Sequence, residues 1–146
     1  MDALPGLAPV SSHLELAWHL NELGLLRQAI AAMALDAGLP DEARDALTLA
    51  AFEAATNVIR HVKCPLPDAT LQVFLENTDP AVNLSLYYLG EPFSPDDTLP
   101  DFSGDTEGGF GLYIIENSVD EVIYDTPVPG VCRIWLCKRK ESSHVV

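Results

Sequence analysis

Between Asp41 and Val62 the chain carries two stripes at helical spacing, and this segment constrains the fold more than any other. Leu47, Ala51, Ala54, Val58 and Val62 recur every three or four residues, which on an α-helix lines one side with apolar groups that need a core. Glu53, Asn57 and His61 stand at i, i+4 and i+8 and so share another side. Leu39-Pro40-Asp41-Glu42 suits the start of this helix, because proline fits a first turn and acids complement its positive end. Cys64-Pro65-Leu66-Pro67-Asp68 breaks it. The helix therefore has a packing side and a chemical side.

The flanking segments predict what it packs against. From His13 to Leu20 polar and apolar residues alternate, with Leu14, Leu16, Trp18 and Leu20 on one side, as in a half-buried strand in which His13 and His19 are exposed. Glu22 to about Ala37 is helical in pattern, with Asn21 as N-cap and Gly38 as terminator. Leu71 to Glu76 and Val82 to Tyr88 alternate on either side of Asn77-Thr78-Asp79-Pro80 and predict an antiparallel hairpin. Gly90 to Gly109, rich in proline, glycine and acids, predicts a long mobile loop of the kind that usually serves function. A short helix enters through Gly108-Gly109-Phe110-Gly111. Strands from Glu121 to Tyr124 and Val131 to Arg139 follow, joined by Thr126-Pro127-Val128-Pro129-Gly130. This order predicts an α+β fold: a two-layer sandwich with helices on one face of a mixed, mainly antiparallel sheet.

Composition narrows the function classes. A chain of 146 residues, 48% hydrophobic, holds one substantial core, so one domain over residues 1–146 is expected, with its core at about 13–139 and flexible ends. A formal charge of −14 repels phosphate backbones and anionic lipid, which argues against nucleic-acid and membrane partners. The sequence has neither a long apolar span nor a basic, then apolar, secretory leader, so a cytoplasmic location is expected. Cys64, Cys132 and Cys137 form no close pair and read as buried thiols, not as a zinc set.

A carboxylate one turn before a carboxamide suits a site where Glu53 orients or activates a hydroxyl and Asn57 offers a hard oxygen to Mg²⁺. Glycines ahead of a helix let backbone N–H groups approach a phosphate. Neither a Rossmann fingerprint nor a P-loop is present.

Leu49-Ala50-Ala51-Phe52-Glu53-Ala54-Ala55-Thr56-Asn57-Val58-Ile59-Arg60-His61 resembles the N-box of GHKL-type (Bergerat) ATPases. Gly108-Gly109-Phe110-Gly111-Leu112-Tyr113-Ile114-Ile115, followed by Val119-Asp120-Glu121-Val122, resembles the later glycine motif of that superfamily. Within it the chain looks most like the bacterial anti-sigma factor serine/threonine kinases, over roughly Leu14 to Lys138. The resemblance implies ATP and Mg²⁺ as cofactors. It makes Asn57 the Mg²⁺ ligand and Glu53 the carboxylate that polarises the attacking hydroxyl, and it sets Arg60 and His61 along the triphosphate. Gly108, Gly109, Gly111 and Leu112 would belong to the phosphate-binding helix entry, and Ser94 to Gly108 would form a lid over ATP. It also implies a sigma factor and an antagonist protein as partners, and a homodimer.

One position departs from the family pattern. Where the family reads Asp-x-Gly-x-Pro-Phe, with the Asp accepting the adenine amino group, this chain reads Tyr88-Leu89-Gly90-Glu91-Pro92-Phe93. Losing a charge-assisted contact to the base costs about 1.5 to 3 kcal/mol. Two functions follow: a kinase that phosphorylates the antagonist, or an adaptor of the same fold that binds sigma factor or antagonist without ATP. A histidine-kinase catalytic domain fits less well, since the chain lacks room for a phospho-accepting helical region and a sensor.

Overall fold

The computed structural model describes residues 10–63, 66–78, 80–90 and 111–140. The elements run β1 (Val10–Ala17), α1 (Leu23–Asp36), α2 (Asp41–His61), β2 (Thr70–Asn77), β3 (Ala81–Leu89), α3 (Gly111–Ser118), β4 (Glu121–Val128) and β5 (Val131–Arg139). The five strands form one sheet in the order β1-β2-β3-β5-β4. Every neighbouring pair is antiparallel, whereas the sequence reading allowed a mixed sheet. Because β5 lies between them, β3 and β4 run parallel, and α3 sits in the connection that joins them.

Alternation along each strand sorts the side chains by face. Leu71, Val73 and Leu75 of β2, Val82, Leu84 and Leu86 of β3, and Ile134 and Leu136 of β5 are all buried, and the rows Val73–Leu86–Ile134 and Leu75–Leu84–Leu136 run in register across the three strands. They form one layer of the core; the other comes from Leu26 and Ile30 of α1 and Leu47, Ala51, Ala54 and Val58 of α2. The two-layer sandwich with helices on one sheet face is therefore present as the sequence pattern predicts. No helix among the described residues is long and apolar enough to cross a membrane.

The helix ends show which local signals act. At the end of α1, Gly38 adopts φ +88, its N–H donates to Leu35 O at 3.1 Å, and Leu39 N–H donates to Ala34 O at 3.1 Å. This is the glycine-terminated double closure that satisfies the last carbonyls. The start of α1 differs from expectation. Leu20–Glu22 form a single 3-10 turn, and Glu22, not Asn21, is the N-cap, without a side-chain cap bond. The Glu22 carboxylate instead accepts from Ala17 N–H at 3.4 Å. That turn also removes Leu20 from β1 and leaves it 44% exposed, so the strand ends three residues earlier than its alternation suggests. In β4 the strand continues past Tyr124 to Val128 across a register shift between Asp125 and Val128. Pro127 falls in that irregular stretch of an edge strand, where a missing N–H is tolerated.

Leu84 is 1% exposed at the centre of the sheet, whereas Leu35 on α1 is 60% exposed. Chemical unfolding should show Leu84→Ala destabilised by about 2 to 5 kcal/mol and Leu35→Ala within about 0.5 kcal/mol of the parent. Equal losses would mean that the core is not centred on this sheet face.

Candidate functional site

Helix α2 is held on several sides at once, touching α1, α3 and β5. Small residues make this possible: Ala50, Ala51, Ala54 and Ala55 are all buried, and their short side chains let neighbouring backbones come close. The enclosed arc of α2 is consequently wider than its apolar stripe and takes in Asn57. That residue is 3% exposed and is the one buried polar side chain among the described residues. Its Nδ2 has no hydrogen-bond partner among them. A buried donor left unmade costs about 1 to 3 kcal/mol. Such an atom is ordinarily met by a water, an ion or a ligand oxygen.

Glu53 lies one turn earlier on α2 and is half-buried, while Arg60 and His61 are exposed in the last turn. The polar residues expected to share one side are thus graded from enclosed to open along the helix. The Arg60 guanidinium also complements the negative end of the helix dipole.

The end of β3 closes against the same region. A Cβ placed on Gly90 would stand 3.7 Å from Val62 Cγ1, just past the last turn of α2, and Gly90 adopts φ +133, which disfavours any side chain there. Gly90 N–H donates to Gly130 O at 3.2 Å, which ties the strand end to the β4–β5 turn. Two residues earlier, Tyr88 points between the layers and is only 2% exposed. Its ring meets Trp18 edge-on, with centroids 6.4 Å apart. The Cys132 thiol sits opposite in the β5 register and donates to Gly90 O at 3.5 Å; burial pushes that thiol up from its ordinary pKa. Tyr88, Trp18 and Cys132 therefore form a packed unit at the end of the sheet. Trp18 and Cys132 were missed as site neighbours, although their alternating positions already point them inward.

Helix α3 begins at Gly111 and packs on α2. The predicted glycines Gly108 and Gly109, the lid from Ser94 to Gly108 and the side chain of Leu112 lie outside the described residues.

A sequence profile of the histidine kinase-like ATPase domain matches residues 16–138. The chain belongs to the histidine kinase-like ATPase family. Comparison with curated proteins finds no sequence match. Among solved structures, the RsbU and RsbW domains of Rv1364c from Mycobacterium tuberculosis superpose with a TM-score of 0.63 at 16% identity, over 94% of this chain and 34% of that one. At that identity the likeness is one of fold, and this chain spans about a third of the longer protein.

For a histidine kinase-like ATPase domain, the arrangement can be tested against a nucleotide. The phosphate and metal end fits: Asn57 offers a buried, unpartnered amide, and Glu53 stands a turn away. The base end does not, because the Tyr88 ring fills the space at the strand end and brings no carboxylate. Another cleft, about 770 Å³, lies on the opposite sheet face and is lined by Gln72, Phe74, Tyr87, Arg133 and Trp135 among others. Its cation is already engaged, since the Arg133 guanidinium grips Asp125 through Nε at 2.9 Å and Nη2 at 2.5 Å. That fork leaves no free charge for a phosphate, so the interlayer region of the ATPase domain is the better candidate.

Two outcomes follow. Replacing Asn57 by leucine, similar in size but apolar, should raise the unfolding free energy of the ligand-free protein by about 1 kcal/mol or more, because an orphaned donor is removed. The same change should abolish stabilisation by Mg-nucleotide in thermal melts; a less stable Asn57→Leu protein would show that the amide is satisfied in the free state. On the other face, hydrogen bonds from Arg133 hold Asp125 below the usual carboxylate range. A depressed folded pKa gives stability that is present above the unfolded value, near pH 4, and is lost as pH falls through the folded one. Asp125→Asn should therefore flatten the acid limb of the stability profile, by less than about 1 kcal/mol because the pair is near the surface.

Proposed function

We propose that this chain is an anti-sigma factor with ATP-dependent protein serine/threonine kinase activity. On this reading it regulates transcription by switching between a sigma factor and an antagonist protein, which it phosphorylates. The observation that carries this reading is the buried, unpartnered amide of Asn57 one turn after Glu53, within a histidine kinase-like ATPase domain. The fold likeness to a protein that includes an RsbW domain supports the same direction.

Each residue has a defined part. Asn57 Oδ1 would hold Mg²⁺, and its Nδ2 would donate to a phosphate oxygen. Glu53, half-buried and therefore less screened than a surface acid, would accept the proton of the antagonist's serine or threonine hydroxyl as that oxygen attacks. Arg60 and His61, at the open end of α2, would face the phosphate chain from solvent, and the entry to α3 at Gly111 would present backbone amides. When bound, the metal neutralises charge on the transferred phosphoryl group, so positioning supplies most of the catalysis.

A second reading is favoured by one observation, the filling of the strand end by Tyr88. It makes the domain an ATP-independent adaptor that only binds sigma factor or antagonist.

Phosphate transfer from labelled Mg-ATP to a candidate antagonist, assayed beside sigma-factor binding, separates the two. A kinase should lose at least about a hundredfold in transfer rate with Glu53→Gln, in line with general-base contributions, while nucleotide affinity stays within a few-fold. Tight partner binding that ignores Mg-ATP, with no transfer, would establish the adaptor.

A further inference from the structure

The described strand positions on the helix-facing side of the sheet are those that a base lying between the layers would meet there. Following the registers from β1 to β4, no described strand position that faces the helices carries Asp or Glu. At the strand end near α2 this face carries Tyr88 and, opposite it in register, Cys132, whose thiol donates to Gly90 O at 3.5 Å. The space itself is taken, with Tyr88 2% exposed and Trp18 set edge-on against it. Asn57, by contrast, keeps a buried donor in reserve on the helix opposite. The contact of Val62 with the Gly90 position brings that helix and this strand end together. One end of the interlayer region therefore invites an anion and the other refuses a base.

We propose that the site recognises its ligand by the phosphate chain and its metal alone and does not select the base. The inference rests on the nucleotide reading of Asn57 given above. Strong discrimination of a base amino group calls for a buried charged acceptor that the wrong base leaves unpaired, and among the described residues no strand carboxylate on this face supplies one. The ligand class is thus a magnesium polyphosphate with any base, or none. A kinase built this way takes its phosphoryl group from whichever nucleoside triphosphate is abundant.

Calorimetric titration of the full chain with Mg-ATP, Mg-GTP and Mg-tripolyphosphate tests this directly. Dissociation constants within about threefold of one another are expected, all weakened at least tenfold by Asn57→Ala. A tenfold or greater preference of the native protein for Mg-ATP over both others would overturn the inference while leaving the nucleotide reading intact. Binding of none of the three by folded protein would overturn the nucleotide reading itself. Tyr88→Asn, which opens the space and supplies a neutral acceptor, should favour Mg-ATP over Mg-GTP by threefold or more. An unchanged ratio in a folded Tyr88→Asn protein would show that Tyr88 is not what removes selection. Should that variant fail to fold, the comparison of the three ligands on the native protein still decides.

Discussion

The wedging of α2 between α1, α3 and the sheet is the contact on which the rest depends. A helix that met the sheet alone would bury one stripe and leave Glu53, Asn57 and His61 together in water. Contacts from its neighbours, admitted by alanines at 50, 51, 54 and 55, extend the buried arc around the helix until it encloses Asn57. Packing thus sets the chemistry: the same three polar residues become an enclosed amide, a half-buried carboxylate and an exposed imidazole. Only the first of these carries an unmet hydrogen-bonding demand, and only that demand points to a ligand.

Much of this was legible in the chain. Periodicity placed α2, the β2–β3 hairpin and the final strand to within a residue or two, because those segments obey one period throughout. It failed where two local preferences compete. The alternation from Leu14 to Leu20 continues past the point where Glu22 draws the backbone into a 3-10 turn, so hydrophobicity and hydrogen bonding disagree and the latter prevails. Asn21 is an ideal cap by type but falls inside that turn. In β4 the proline at 127 reads as a strand end, yet an edge strand tolerates it beside an irregular register. The depth of Asn57 was not legible, since it depends on which helices surround α2 and not on the sequence of α2.

The two faces of the sheet have been given opposite electrostatic characters. The helix side holds no strand carboxylate among the described residues. The outer side carries acids and bases in register, with Arg133 and Asp125 directly opposite on β5 and β4. Aromatic contacts there are lateral as well: His13 stacks on Phe74 with centroids 4.4 Å apart, and Phe74 meets Tyr87 edge-on. These cross-strand pairs stabilise the ladder itself. The outer face thereby supports the sheet, while the inner face packs against the helices.

Tyr88 shows what a base-binding carboxylate would cost this core. An aspartate at that position would sit unpaired in the ligand-free protein, beside Trp18 and a neutral thiol, and desolvating an unpaired charge costs several kcal/mol. Tyrosine reverses the sign, since burying a ring of this size contributes about 2 to 3 kcal/mol. Asn57 retains the opposite condition, a buried donor whose cost in the free state is offset only when a ligand arrives. On the nucleotide reading proposed above, binding free energy would come from the Asn57 amide, the buried donor on α2 that lacks a partner among the described residues.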